Sequence, residues 1–389
     1  MTEIISHIYQ DNEGHWVTQS NEDHSVGVAR LASQFAGEFG MSKWGKVLGL
    51  LHDKGKETDA FQQYIKKESG YAPDIKICGK HHHAYVGGIL AQKYYGKSSY
   101  NLFVNQIVSH HTGLHDSDEI KEIINQEIPS EVNIYHTKEK LNRPEFNIQE
   151  NDFHHLARML FSCLVDADFL DTEAFMDRES YTLRQNKEAL NNLLPLLENK
   201  LKDLKTKADS SEINIIRNQI QQQCLKMADT PTGFYSLTVP TGGGKTLSSL
   251  VWAIKHAIKN GQKRVIIAIP YTSIIVQTAS VLRSIFGEEN VLEHHSCVDP
   301  EQIKDEKQKE KMKLATENWD YPIIVTTNVQ LFVSMFSNKP SACRKLHNIV
   351  NSVIILDEVQ TLPTDYLQPI VDSLKTYNKL FNEIGRAHV

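Results

Sequence analysis

The segment Val239-Pro-Thr-Gly-Gly-Gly-Lys-Thr246 constrains the fold more than any other part of this chain. It follows a β-rich run, Phe234 to Val239, and precedes a helical stretch, Leu247 to Ile258. A glycine loop between a strand and a helix is built to hold phosphate. Its backbone N–H groups face the anion, the helix N-terminus adds positive potential, a lysine reaches the outer phosphates and a hydroxyl binds Mg²⁺. Thr241, Gly242, Gly243, Gly244, Lys245 and Thr246 are therefore the candidate ATP-binding residues, with Thr246 on the magnesium. Three further apolar runs, Arg264 to Ile269, Ile323 to Thr326 and Val353 to Leu356, read as buried strands. Strands alternating with helices predict a parallel α/β sheet of the RecA-like kind. Asp357-Glu358-Val359-Gln360 follows the last of these strands. A carboxylate there suits a second magnesium ligand, Asp357, beside a residue that orients the hydrolytic water, Glu358. Ile269 to Thr278 and Thr326 to Gln330 each follow a strand, so they line the binding edge of such a sheet and suit a single-stranded phosphate backbone.

Before about residue 205 the periodicity changes to that of helices. Val26 to Phe39, Trp44 to Leu51, Leu102 to His111, His155 to Leu170 and Glu188 to Leu204 all carry apolar residues at helical spacing. Thirteen of the 18 histidines fall before residue 156. Two doublets, His52-Asp53 and His110-His111, end apolar helical runs, which predicts a buried polar site. Imidazole nitrogens and carboxylate oxygens bind divalent transition metals. The candidate ligands are His24, His52, Asp53, His83, His110, His111 and Asp168, with His81 and His82 as substitutes for His83. Asp53 has two oxygens and can bridge two ions, which at ~3.5–4 Å apart activate water and stabilise a phosphodiester's leaving oxygen. Lys56 either stabilises phosphate charge there or is a solvated lysine at a helix end. His7, His15, His136, His154 and His155 are read as ordinary histidines.

The polar stretch Lys205 to Ser211 reads as a linker. The expected organisation is an all-α metal phosphohydrolase domain over 1–205, a linker over 206–215 and an α/β lobe over 216–383. Asp299 to Lys313 reads as a charged, solvated excursion. Five widely spaced cysteines form no CxxC pair, which argues against a zinc ribbon or a disulfide framework. The net charge of −6 gives no support for broad, non-specific adhesion to nucleic acid. No apolar run reaches membrane-spanning length and no signal peptide is visible, so a cytoplasmic protein without membrane attachment is expected.

Several segments together carry a resemblance: Leu51-His-Asp-Lys-Gly-Lys56, Ser109-His-His-Thr-Gly-Leu114, Leu164-Val-Asp-Ala-Asp168, Ile269-Pro-Tyr-Thr-Ser-Ile274, Thr326-Thr-Asn-Val-Gln330 and Ile355-Leu-Asp-Glu-Val-Gln-Thr-Leu-Pro363. Their order resembles that of the CRISPR-associated nuclease-helicases of type I interference systems, over about residues 20 to 380. The resemblance implies an HD nuclease that degrades DNA, with Asp53 and Lys56 in its catalytic centre. It also implies a superfamily 2 motor moving on single-stranded DNA, and recruitment by an RNA-guided surveillance complex. Within the family's pattern the ligands map onto the same seven residues, His83 being favoured by Gly87 and Asp168 by Ala167. The implied cofactors are two transition metals (Fe, Mn, Ni or Co) and ATP with Mg. The chain departs from the family in ending soon after Gln360, so the natural protein is expected to continue into a second helicase lobe that this sequence does not include. Ile384 to Val389 reads as an artefactual tail, since its codons resemble a sequencing adapter. Half an ATP cleft implies weak ATP binding and poor hydrolysis. The competing reading is an HD nucleotide phosphohydrolase with a regulatory ATPase lobe. A non-catalytic interaction module is disfavoured by the complete ligand set.

Overall fold

A computed structural model describes residues 3–79, 81–96, 100–132, 140–141, 148–185, 187–240, 242–296, 305–381 and 386–388. Thr241, His136, Cys297, the stretch 299–304 and parts of the tail 384–389 lie outside the described residues. The chain divides into two compact units. The first comprises Met1–Thr182 with Ser337–His347, and the second Leu183–Phe336 with Asn348–Val389.

The first unit is helical, as its periodicity predicts, except at its start. Strands β1 (Ile5–Gln10) and β2 (Trp16–Ser20) form an antiparallel hairpin that the helical reading omitted. The helices are α1 (Asn21–Gly37), α2 (Ser42–Leu51), α3 (Asp59–Glu68), α4 (Ala84–Tyr95), α5 (Asn105–Val108), α6 (Ser117–Ile124) and α7 (Phe153–Met176). Ser20 caps α1, its side chain accepting from the Asp23 amide, and Glu22 and Asp23 complement the helix dipole. Helices α1 and α2 approach unusually closely. A Cβ added at Gly49 would stand 2.4 Å from the Ala29 backbone, so only glycine fits there. At Gly87 the same addition would meet the Leu51 carbonyl oxygen at 1.9 Å, which seats α4 against the end of α2. The predicted helix from Leu102 to His111 stops at Val108, and His110-His111 lie in the turn that follows.

Residues Ser337–His347, distant in sequence, complete this unit with α15 (Pro340–Cys343). The anchor is Asp166 on α7, fully buried. Its carboxylate accepts from Arg344 Nε at 2.8 Å and pairs with His347 Nε2 at 2.9 Å. Burial opposes its charge, but the Arg344 guanidinium and His347 hold its carboxyl below the usual range. The Arg344 guanidinium also lies over the Phe169 ring at 4.4 Å, and His347 stacks on Phe35 at 4.3 Å.

Helix α8 (Arg178–Gln185) crosses the division between the units. The sequence-based boundary at 205 falls later than this division. Helix α9 (Leu190–Lys207) belongs to the second unit because Leu190, Leu193 and Leu197 are buried in that unit's core. Three fully buried leucines at roughly 1.5–3 kcal/mol each outweigh the polar composition that follows them. The linker stretch is accordingly shorter, with only 208–211 outside helix before α10 (Glu212–Met227).

The second unit is a parallel sheet with strand order β3-β8-β7-β4-β6-β5. The strands are β3 (Phe234–Ser236), β4 (Arg264–Ile269), β5 (Val291–His294), β6 (Ile323–Thr327), β7 (Ser352–Leu356) and β8 (Arg386–His388). The last lies within the tail set apart by the sequence and occupies a strand position between β3 and β7. All six residues of β4 and all five of β7 are buried, which suits the apolar runs Val265 to Ile269 and Val353 to Leu356. The remaining helices are α11 (Lys245–Lys259), α12 (Thr272–Phe286), α13 (Glu306–Asn318), α14 (Asn328–Phe336), α16 (Leu346–Val350, at the second crossing) and α17 (Thr364–Phe381). The charged excursion thus includes a regular helix, α13, anchored by Met312, Leu314 and Ala315. Among the described residues no helix is long and apolar enough to cross a membrane.

The Asp166 clamp generates a stability prediction. Arg344→Ala strands a buried carboxylate and should cost about 3–5 kcal/mol. Denaturant unfolding followed by hydrogen exchange should locate the loss in α7; exchange in α7 unchanged from wild type would refute the clamp.

Candidate metal centre and phosphate loop

The metal centre is assembled from five separate places in the first unit. His24 projects from α1 and His52 caps the end of α2, with Asp53 next in the chain. His83 precedes α4, His110 and His111 follow α5, and Asp168 comes from α7. The structure brings all seven together in two groups that share Asp53. One is His24, His52, Asp53 and Asp168; the other is Asp53, His83, His110 and His111.

The two Asp53 oxygens divide the groups between them. Oδ2 lies 3.3 Å from His24 Nε2 and 3.3 Å from His52 Nε2. Oδ1 lies 3.2 Å from His83 Nε2 and 3.4 Å from His110 Nε2. Asp168 Oδ1 closes the first group at 3.3 Å from His24 Nε2. His111 Nε2 closes the second at 3.0 Å from His83 Nε2. Asp53 Oδ1 and the Nε2 atoms of His24, His52 and His110 are buried without a hydrogen-bond partner, and Asp53 Oδ2 faces the Lys56 ammonium. Buried polar atoms are rarely left so, and four converging ones fit divalent cations.

The outward nitrogens of His24, His52 and His110 are satisfied. His52 Nδ1 donates to the Gly49 carbonyl at 2.7 Å and His110 Nδ1 to the Ile107 carbonyl at 2.6 Å. His24 Nδ1 donates to Asp171 Oδ2 at 2.9 Å. A carbonyl or carboxylate can only accept, so the Nδ1 of His24, His52 and His110 carries a proton and Nε2 is the atom turned inward. Asp171 was missed by the sequence reading. Its one signal was its spacing, three residues after Asp168 on the same helix. His7, read as ordinary, also stands against the centre, its ring 4.7 Å from that of His24.

Charge differs between the groups. Burial disfavours the His24 and His52 cations, but nearby carboxylates outweigh it. Asp168, Asp171 and Asp53 raise His24 to about 10. Asp53 and Asp168 raise His52 to about 9. In the second group burial dominates and pushes His83 down and His111 to about 3, the neighbouring imidazoles adding to it. Lys56 is buried, not solvated, and its ammonium lies 2.7 Å from Asp53 Oδ2. Asp166, two residues before Asp168 on α7, serves the clamp and belongs to neither group. His81 and His82 lie in a cleft beside His83 rather than in either group.

In the second unit Lys245 opens α11, and Gly244 is its N-cap. Lys245 Nζ stands 2.6 Å from Asp357 Oδ1 and 2.8 Å from Glu358 Oε1. Partial burial works against its charge, but the two carboxylates raise its pKa. Glu358 adopts a left-handed backbone, φ 48°, a strained conformation that the Lys245 pairing helps to hold. Arg217 on α10, not anticipated from the sequence, donates from Nε to the Gly242 carbonyl at 2.8 Å. A cleft of about 520 Å³ opens beside Gly244, lined by Leu204, Arg217, Asn218, Gln221 and Leu247 among others.

Two domain families match in tandem: the HD domain over residues 21–145 and the DEAD/DEAH box helicase over 218–383. The pairing defines an HD domain followed by a DEAD/DEAH box helicase domain. The chain is 36% identical over 137 residues to a CRISPR-associated nuclease/helicase Cas3 of Methanocaldococcus jannaschii, an alignment covering 32% of this chain and 18% of that one. It is 30% identical over 159 residues to the Cas3 of Haloferax volcanii, covering 36% and 17%. A crystal structure of T. fusca Cas3 matches with a TM-score of 0.64 at 13% identity, covering 99% of this chain and 49% of that one. A CRISPR RNA-guided surveillance complex before nicking contains a chain matched with a TM-score of 0.56 at 14% identity, covering 100% and 48%. The chain carries an HD domain followed by a DEAD/DEAH box helicase domain, and it is similar in sequence and in fold to Cas3 nuclease/helicases. It spans about half the length of the solved chains, and its aligned regions less than a fifth of the curated relatives.

Metal ions compete with protons in the first group. At neutral pH, uptake should expel protons held by His24 and His52, and affinity should rise with pH toward about 9–10. Calorimetry in two buffers of different ionisation heat should give different apparent enthalpies; identical values would contradict the assignment.

Proposed function

We propose that the first unit is a metal-dependent nuclease acting on single-stranded DNA and that the second is the ATP-binding lobe of a DNA-translocating motor. The observation carrying this reading is the division of Asp53, one oxygen toward each half-site. Two divalent ions held there supply an activated water and stabilisation for the leaving oxygen. His24, His52 and Asp168 would hold one ion, and His83, His110 and His111 the other, with Asp53 between them. The donor set suits Mn, Fe, Co or Ni. Asp171 keeps one His24 proton on Nδ1, so Nε2 is the atom that would ligate once its own proton is displaced. Lys56 limits the negative charge of Asp53 and offers a cation where an anionic phosphodiester approaches.

In the second unit, Lys245 would turn from Asp357 and Glu358 to the outer phosphates of ATP, leaving Asp357 for magnesium and Glu358 for the hydrolytic water. Thr246 follows Lys245 as the second magnesium ligand. The cleft beside Gly244 is where the rest of the nucleotide fits. Tyr271 and Val329, 54% and 72% exposed, lie in the two segments after β4 and β6 and suit contact with a DNA strand. By analogy with its relatives the chain acts in CRISPR type I defence, recruited by an RNA-guided surveillance complex.

Purified protein with Mn²⁺ should degrade single-stranded DNA without ATP, and Asp53→Ala should abolish cutting while leaving ATP binding intact. Hydrolysis of a mononucleotide but not of DNA would contradict the nuclease reading.

A further inference from the structure

A cleft of about 590 Å³ opens beside the second half-site, within the size range of small-ligand sites. His83 and His111 form its inner wall, and Tyr64, His81, His82, Tyr85, Thr112 and His115 are among its other lining residues. A run of rings leads outward from the centre. Phe61 meets His83 edge-on at 4.8 Å, and Tyr64 lies 6.0 Å from Phe61. Tyr64 then stacks on His81 at 4.2 Å and 8°, and His81 on His82 at 5.5 Å and 19°. His82, the last ring, is exposed. His115 is oriented by Glu119, with Nδ1 to Oε2 at 3.1 Å, and its Nε2 meets the Thr112 hydroxyl at 2.8 Å. Among the described residues, no carboxylate lines the cleft.

We propose that this cleft seats the nucleoside adjoining the scissile phosphate of a single-stranded nucleic acid, its base extending the Tyr64–His81–His82 stack. The proposal rests on the nuclease reading above and adds a binding subsite to it. A phosphate lying between the half-sites has its neighbouring sugar and base within reach of the cleft. Stacking on a ring is tolerant of sequence, because every base has a π-face. A wall of imidazole, phenol and hydroxyl groups without carboxylates does not repel a phosphate backbone. Thr112 and His115 provide hydrogen-bonding groups at its rim for the sugar or backbone.

The test is steady-state cleavage of a single-stranded oligonucleotide by the full chain with Mn²⁺. His82→Ala and Tyr64→Ala should each raise KM about tenfold. His82→Phe should restore it, because a ring rather than an imidazole is needed. Metal content per chain should match wild type in His82→Ala. An abasic residue beside the cut bond should slow wild type and add nothing to His82→Ala. An unchanged KM in His82→Ala, equal cutting beside an abasic residue by wild type, or loss of metal from His82→Ala would each overturn the subsite. If wild type cuts no strand, the nuclease reading fails separately. The cleft is then read by a strand carrying 2-aminopurine: quenching by wild type and not by His82→Ala supports it, and no quenching overturns it.

Discussion

The first unit depends on one carboxylate that water scarcely reaches. Asp53 is 1% exposed, and an isolated charge at such depth would cost far more than the fold can supply. It is held charged by four imidazoles and the Lys56 ammonium, all within 2.7–3.4 Å of its two oxygens. Burial works against the ionised form, and these partners pull its pKa well below the usual carboxylate range. The fold around it keeps them there. Gly49 lets α2 lie on α1, which brings His52 to His24. Gly87 lets α4 reach the end of α2, which brings His83 to Asp53.

The second unit solves a different electrostatic problem. Its charges gather at the C-terminal edge of a parallel sheet, where the phosphate loop and the Asp357-Glu358 turn meet. Lys245 pairs with both Asp357 and Glu358, the latter across 113 residues of sequence. In the candidate metal centre the outward nitrogens of His52 and His110 are held by backbone carbonyls and that of His24 by Asp171. The loop's ion pairs are partly exposed and exchangeable, as a site that binds and releases nucleotide requires.

Legibility followed the range of the interactions. The strand-loop-helix of the phosphate site is local, so Gly242 to Thr246 could be placed from neighbours alone. The doublets His52-Asp53 and His110-His111 could be nominated because such residues are rare at the end of an apolar run, and family resemblance separated His83 from His81 and His82. Their division around Asp53 was not legible, because it depends on where helices cross. The same is true of the Asp166–Arg344–His347 clamp, whose partners are about 180 residues apart. The leucines of α9 announced a buried face but not which core would bury it, so the boundary at 205 came out late. Asp171 looked like one more acid on a helix until His24 was seen to face it.

The central claim is that one carboxylate bridges two ions. Electron paramagnetic resonance of the Mn²⁺-loaded chain tests it most directly. The account predicts an exchange-coupled manganese pair, lost in Asp53→Ala. Uncoupled single-ion spectra at full loading, or a coupled pair that survives Asp53→Ala, would contradict it.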